Sequence, residues 1–315
     1  MRLAIIGVGG VGGSLGAALL HAGHDVLFIA RGDNARALAD RGLTVKHERS
    51  PFRAERINVT SNPDGQAPAE AVLLCVKRYD LIDAIETHAE WLATCGSVVT
   101  LQNGLDAQET AAALLPPDRV LGGTVQVVAK LLEPGVILRE GETLELNLAE
   151  PAGGVSERLR SLADALAPTG IAAEIHRNMK TMLWLKFLMV ACSSSINVAM
   201  RSGFDAMADN PAMPWLLEIA LQEALAVART LEVPLPGGIE AQTRATLRNV
   251  FAHGGKASLL TDLERGRPLE IEWLSGAIHR MGEQTGVPTP LHTAIYNELL
   301  PLANGVTSPP TCPKA

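Results

Sequence analysis

The sequence is poor in aromatics: four Trp, two Tyr and five Phe make up 3% of its 315 residues. That is too few for a platform on which successive bases could stack. An excess of positive charge is also missing. Its 27 Lys and Arg face 34 Asp and Glu, for a net charge of −7, so a phosphate backbone is a poor partner and no nucleic acid is expected. Cysteine is scarce and scattered. Cys75, Cys95, Cys192 and Cys312 form no Cys-x-x-Cys pair, which disfavours a zinc ribbon and a disulfide scaffold and fits a reducing compartment. No metal site is expected. No long apolar run is free of charge: 183–200 is interrupted by Lys186, and 216–231 by Glu218, Glu223 and Arg229, so no membrane span is expected. Arg2 leads straight into an apolar strand and a glycine loop, not a cleavage-site pattern, and the expected location is cytoplasmic. Internal repeats and low-complexity tracts are lacking too.

What is present is a substantial core: 47% of residues are apolar and 19% charged. At roughly 150 residues per domain, the length suggests about two domains. The strongest local signal comes first. Residues 3–6 form an apolar run of strand length, followed by Gly7-Val8-Gly9-Gly10-Val11-Gly12, a helical stretch ended by Gly23, and a second strand at 25–29. Strand, Gly-x-Gly-x-x-Gly, helix and strand within about thirty residues is the dinucleotide-binding pattern. Gly7 permits the tight turn, Gly9 lets backbone approach a pyrophosphate, and Gly12 lets the helix pack close to the strand. The helix N-terminus then offers N–H groups and a positive dipole end to the phosphates. Enzymes that use NAD place an acid at the end of the second strand. Here Arg31 is the first charged residue after it, and a guanidinium suits a 2′-phosphate by fork geometry and charge. NADPH is therefore the expected cofactor, and Asp33 is expected to cap a helix over 34–40.

Further along, 71–76 and 97–101 read as strands buried on both faces of a parallel sheet. Lys77 and Asn103 lie just past their carboxyl ends, where open α/β sheets bind ligands. Segments 124–128, 135–139 and 143–148 read as antiparallel strands with turns between. After His176 the strands stop. Helices are expected over 179–200, 211–231, 239–253 and 268–285, with short helices to about 302. The sequence thus predicts an α/β fold, with an N-terminal Rossmann-type doubly wound sheet over 1–176 and a second, all-helical domain over 177–304. A loose tail is expected over 305–315.

These features together resemble the ketopantoate reductases. The resemblance rests on the opening glycine loop, Arg31, Cys75-Val76-Lys77, Leu101-Gln102-Asn103-Gly104 and Trp184-Leu185-Lys186-Phe187. It also rests on Ser258-Leu259-Leu260-Thr261-Asp262 and on Leu269-Glu270-Ile271-Glu272-Trp273-Leu274-Ser275-Gly276. It covers nearly the whole chain to about Ala303. It implies NADPH-dependent reduction of 2-dehydropantoate to (R)-pantoate, a step toward pantothenate. It also implies that Lys186 is the general acid and that Glu270 supports it beside the cofactor. By the same resemblance Ser258 binds substrate, Asn103 sits between cofactor and substrate, and Lys77 contacts the cofactor.

The chemistry is sound on its own terms. Reducing a ketone builds negative charge on oxygen, which a placed ammonium stabilises and protonates. Lys186 lies within an apolar stretch, where burial would lower its pKa toward neutrality. Glu270 and Glu272 are two apart and point different ways on a helix, so only one can serve the site; Glu272 is expected to be a solvated charge. Asp262 shares a helical face with Ser258 and is expected to be structural. The chain departs from the family where asparagines usually follow the lysine by four and eight positions; here these are Val190 and Ser194. Ser194 can replace one hydrogen bond. Asn197, three turns on from Lys186, returns to the same face and is expected to help bind substrate. The small-molecule partner is thus a 2-keto acid, either ketopantoate or another bulky member of that class. A nucleotide sensor without turnover and other two-domain dehydrogenases are the competing readings. The helical domain could carry a homodimer contact; the sequence does not choose between monomer and dimer.

Overall fold

The strands of the first half are short and apolar because both faces of their sheet are covered. In β1 (Arg2–Ile6), Leu3 and Ile5 enter one core together with Leu15 and Leu19. Ala4 and Ile6 enter a second core, with Leu81, Ile85, Trp91 and Leu92. The uninterrupted apolar run is therefore two alternating faces. The structure is a computed structural model that describes residues 1–305. Beyond Gly305 the expected loose tail, with Cys312, lies outside the described residues.

After β1 come α1 (Gly10–His21), β2 (Asp25–Ile29), α2 (Gly32–Arg41), β3 (Leu43–Lys46), β4 (Phe52–Ala54), β5 (Asn58–Thr60) and β6 (Ala71–Leu74). Then follow α3 (Leu81–Thr87), α4 (Ala89–Thr94), β7 (Val98–Thr100), α5 (Ala107–Leu114), β8 (Val120–Glu133), β9 (Val136–Ala149), α6 (Glu157–Leu166) and β10 (Ala172–His176). They build one sheet in the order β4-β3-β9-β8-β7-β6-β1-β2-β5, with β10 beside β9. β7, β6, β1, β2 and β5 are mutually parallel, and Ile6 is level with both Ile29 and Leu74. The carboxyl ends of β2, β1 and β6 therefore emerge side by side, where α/β sheets hold ligands.

Chain geometry at the first turn demands glycine. Gly7 has φ +95°, and a Cβ there would lie 2.7 Å from the backbone nitrogen of Val76. A Cβ on Gly12 would lie 2.1 Å from the Gly7 carbonyl oxygen. α1 begins so close to the end of β1 that no side chain fits between them.

Several expectations are corrected. The three strands expected over 124–148 are two long ones, β8 and β9, of 14 residues each. Val127 pairs with Leu144 and Val128 with Glu140, so the polar stretch 141–143 forms a bulge and not a chain-reversing turn. β3, β4, β5 and β10 had no counterpart in the sequence reading, because runs of three to five residues are too short to show a period; the ten-residue α6, whose Leu159, Leu162 and Leu166 recur at helical spacing, was passed over. Asp33 does not cap α2. Arg31 occupies the N-cap with extended backbone, and Asp33 lies in the first turn, paired with Arg36.

The second half consists of α7 (Met179–Ala199), α8 (Phe204–Ala208), α9 (Met213–Thr230), α10 (Ile239–His253), α11 (Ser258–Glu264), α12 (Ser275–Thr285) and α13 (Pro290–Leu299). Among the described residues, one compact unit comprises Met1–Gln102 and Asp106–Met182, and a second comprises Asn103–Leu105 and the chain from Leu183 on. The second unit has its own core, including Trp184, Phe187, Leu188, Leu221, Leu225, Leu260 and Ile278. α7 alone among the described helices is long and apolar enough to cross a membrane, and 72% of that stretch is buried inside the protein. The single helix expected over 268–285 is broken. A 3-10 turn spans Glu270–Trp273, and Leu274 at φ −116°, ψ −100° separates it from α12.

A buried polar network ties three of these helices together. The Glu223 carboxylate of α9 accepts from the N–H groups of Leu291 and His292 at 2.8 and 3.0 Å, capping the first turn of α13. The His292 ring meets the Ala220 carbonyl at 3.1 Å and the Ser275 hydroxyl of α12 at 3.0 Å. Burial pushes its pKa down to about 4, so the ring is neutral.

Gly12→Ala should lower stability by roughly 1–3 kcal/mol, since the backbone must shift to admit the methyl. Gly9→Ala, whose added Cβ meets nothing within 4 Å, should unfold at the wild-type temperature. Thermal denaturation of the two variants provides the comparison.

Candidate active site

The first unit presents its candidate groups along the edge where β2, β1 and β6 end. The glycine loop is fixed from both sides. Gly7 N–H donates to the Ile29 carbonyl at 3.1 Å, and Cys75 N–H donates to that of Ile6 at 2.8 Å. Asn34, which the sequence reading passed over, donates from its side chain to the Val8 carbonyl at 2.8 Å and accepts from Gly135 N–H at 2.8 Å. α1 starts at Gly10 with Gly9 as its N-cap, so no side chain caps the helix there. Space is open at Gly9, whereas a Cβ on Gly10 would lie 2.4 Å from the Ala129 carbonyl of β8. The glycine at position 10 thus serves packing against β8, while the one at position 9 leaves room for a ligand. Val11 follows in the first turn of α1.

Arg31 carries its guanidinium outward and shares it between two carboxylates. Asp80 lies at 2.9 Å and Asp83 at 3.1 Å. Both hold the guanidinium pKa above its usual value. Lys77 caps the 3-10 turn Arg78–Asp80, half-buried, one residue past the Val76 backbone that touches Gly7.

Two residues that sequence reasoning missed hold these loops. The buried Gln102 amide donates to the Leu74 and Val76 carbonyls at 2.8 and 3.0 Å and accepts from Leu101 N–H at 3.2 Å. It thereby stitches the end of β6 to the end of β7. The buried Arg78 guanidinium grips Asp106 with two bonds, at 3.1 and 2.9 Å, and Thr110 with a third at 2.7 Å. A charged residue after a strand is a weak signal by itself. Only burial separates Arg78 from a solvated surface arginine.

In the second unit, Lys186 projects from α7. Its side chain keeps partial surface exposure, but the ammonium is surrounded by protein. Burial drives its pKa down to about 8, and attraction to Glu270 offsets part of that fall. Glu270 is only 3% exposed, in the 3-10 turn. Asn103 donates to the Glu270 carboxylate at 3.4 Å, at the long end of hydrogen-bonding distance. Lys186, Glu270 and Asn103 thus form one charged and polar group in that unit.

The remaining sequence candidates are placed less uniformly. Ser194 is buried on α7, eight residues after Lys186, with the half-buried Val190 between them. α7 is unbroken through Asn197. Asn197 is nevertheless fully buried and its amide is spent on the fold. It donates to the Ser202 carbonyl at 2.5 Å and accepts from Ala257 N–H at 3.1 Å. The expectation that it binds substrate is corrected: it fixes the end of α7 to the start of α11. Ser258 is exposed at the first position of α11. Asp262 is buried 3.8 Å from Arg267, in keeping with a structural part. Glu272 is not a free solvated charge; it pairs with Arg280 and accepts from the Tyr296 hydroxyl at 2.5 Å.

A parallel sheet with a glycine turn at its crevice edge, and a lysine–glutamate pair in a helical unit, are the features of the class of dinucleotide-binding oxidoreductases. The profile described as "Ketopantoate reductase PanE/ApbA" matches residues 3–153, and that for the family's C-terminal domain matches 178–303. The chain belongs to the ketopantoate reductase family. It is 31% identical to a 2-dehydropantoate 2-reductase of Archaeoglobus fulgidus over 98% of each chain. It is 29% identical to one of Mesorhizobium japonicum, covering 94% of this chain and 95% of that one. The structure superimposes on a PanE/ApbA family ketopantoate reductase from Ralstonia eutropha JMP134 with a TM-score of 0.86 and 26% identity, covering 96% of this chain and 98% of that one. The protein is therefore an oxidoreductase of a pyridine-nucleotide-dependent family that acts on a small keto acid.

Asp106→Ala would remove the carboxylate that pairs with the buried Arg78 guanidinium. Because Asp106 itself is half-exposed, the expected loss is about 2–3 kcal/mol, toward the low end for a broken buried pair. Urea denaturation measures it.

Proposed function

We propose that the protein is an NADPH-dependent 2-dehydropantoate 2-reductase that forms (R)-pantoate, with Lys186 as general acid. The observation that carries this reading is the buried Lys186 ammonium, with a pKa of about 8, beside Glu270. Near neutral pH such a group is still protonated, yet it gives up its proton far more readily than a lysine in water.

The residues present fit a dinucleotide. Gly9 leaves open space before the uncapped start of α1, and Arg31 stands past the end of β2. Gly7, Val8, Gly9, Gly10, Val11 and Gly12 would hold the pyrophosphate, Arg31 the 2′-phosphate, and Lys77 further cofactor oxygens. When bound, the reduced nicotinamide supplies a hydride to the carbonyl carbon of the substrate. Lys186 stabilises the negative charge that grows on the carbonyl oxygen and delivers a proton from its Nζ to that atom. Glu270 favours the charged form of Lys186, and Asn103, bonded to Glu270, donates to substrate or cofactor in this reading. Ser258 and Ser194 supply hydroxyls for the substrate's polar groups. In this reading 1–176 is the cofactor domain and 177–304 the catalytic one, working in the cytoplasm.

A second reading is favoured by α7. Val190 presents an apolar, half-buried side chain where the family resemblance implies an asparagine, and the Asn197 amide is spent on Ser202 and Ala257. A 2-keto acid bulkier or less polar than ketopantoate would suit that surface.

NADPH oxidation with ketopantoate, ketoisovalerate and oxaloacetate separates the two readings. The first requires the highest kcat/KM for ketopantoate. Equal or lower values for it would favour the second, and no turnover with any 2-keto acid would remove both. Lys186→Ala should lower kcat by at least about 100-fold while NADPH still binds. In the wild type, kcat for reduction should fall as pH rises through about 8, where Lys186 loses its proton.

A further inference from the structure

Arg31 and its two carboxylates come from opposite sides of the glycine turn. β2, which leads to Arg31, and β6, which leads to Asp80 and Asp83, are the two neighbours of β1 in the sheet. The ion pairs at 2.9 and 3.1 Å therefore bridge the crevice edge past the end of β1. The bridge changes the charge there. One guanidinium alone would be +1; with Asp80 and Asp83 the cluster is −1. A 2′-phosphate carries close to two negative charges at neutral pH. To reach Arg31 it must compete for N–H donors that already have partners, and it must sit near two carboxylates. A ribose 2′-hydroxyl faces neither cost. Of the neighbouring cations, Arg36 pairs with Asp33 and Arg78 is gripped by Asp106, while Lys77 serves other cofactor oxygens in the reading above.

We infer that Asp80 and Asp83 are positioning residues for cofactor choice, which restrain Arg31 and so limit the preference for NADPH over NADH. The inference rests on the reading above that Arg31 serves the 2′-phosphate. Arg31 and Asp83 are 72% and 67% exposed, so water weakens the restraint and the phosphate can break it. The carboxylates thus attenuate the preference without abolishing it. Asp83 is the cleaner of the two to change, because it lies in the first turn of α3 and Asp80 occupies the N-cap.

The test measures dissociation constants for NADPH and NADH by fluorescence titration of the full-length wild type, Asp83→Asn, Asp80→Asn, Arg31→Ala and the Asp83→Asn/Arg31→Ala double variant at low salt. Asp83→Asn should tighten NADPH about two- to five-fold, as expected for an exposed ion pair, and leave NADH within experimental error. Asp80→Asn should act in the same direction. The gain should shrink as salt rises, and it should be lost in the double variant if the carboxylate acts through Arg31. Unchanged or weaker NADPH binding by Asp83→Asn, alongside a clear loss in Arg31→Ala, overturns the inference and leaves the role of Arg31 intact. A gain that persists without Arg31 also overturns it. If Arg31→Ala binds NADPH as the wild type does, the 2′-phosphate reading falls, and the inference with it. A change equal for NADPH and NADH marks a merely structural effect and counts against the inference.

Discussion

A positive charge largely withdrawn from water on a helix of the second unit is the constraint from which the catalytic reading follows. Lys186 lies on the longest described helix, among Trp184, Phe187 and Leu188, and removing its ammonium from water is what brings the pKa to about 8. The cost falls on stability. In the unfolded chain the same group titrates near 10.5, so between about pH 8 and 10.5 the unfolded state binds more protons than the folded one. Stability therefore rises with pH across that window. Below pH 8 the buried ammonium costs on the order of 3 kcal/mol before other groups are counted, at about 1.4 kcal/mol per pH unit. Glu270 lessens that cost. The 3-10 turn turns Glu270 inward and hands Glu272 to Arg280 and Tyr296, so two neighbouring carboxylates have separate tasks.

In the first unit the recurring device is a side chain that satisfies backbone groups where strands end. A strand that stops leaves N–H and C=O groups without ladder partners, and these must be met somewhere. Gln102 meets the carbonyls past β6, and Asn34 meets the Val8 carbonyl in the glycine loop. The bidentate Arg78–Asp106 pair then anchors the segment after β6 to the start of α5. Loops tied down in this way can present Lys77 and the glycine turn at fixed places, which a binding edge requires. Arg31 is the exception: it is exposed and loosely shared. Its place does not depend on burial, so it does not hold the scaffold.

Much of the site was legible from residue types alone. The glycine spacing, the lysine in an apolar helix and the odd-even burial of β1 each follow from short-range rules. What failed to show was partnership at long range. Asn197 had the right helical phase to face a substrate, yet Ala257, 60 residues on, and the nearby Ser202 claim its amide. Asp33 had the right chemistry for a cap, but the chain starts the helix two residues earlier, at Gly32. The β8–β9 pair looked like three strands because a three-residue bulge carries the same polar and glycine residues as a turn.

The sequence by itself determined the α/β class, the change to helices after His176, the glycine turn after β1 and a lysine set within an apolar helix. These depend on periodicity, on glycine where a Cβ cannot fit, and on a charge placed among apolar neighbours, all of which are local. Only the tertiary structure decided that Glu272 is taken up by Arg280 and Tyr296, that Arg31 is shared by Asp80 and Asp83, and that Asn197 and Arg78 are committed to the fold. Those outcomes depend on which distant groups meet, and on how much water remains around each charge when they do.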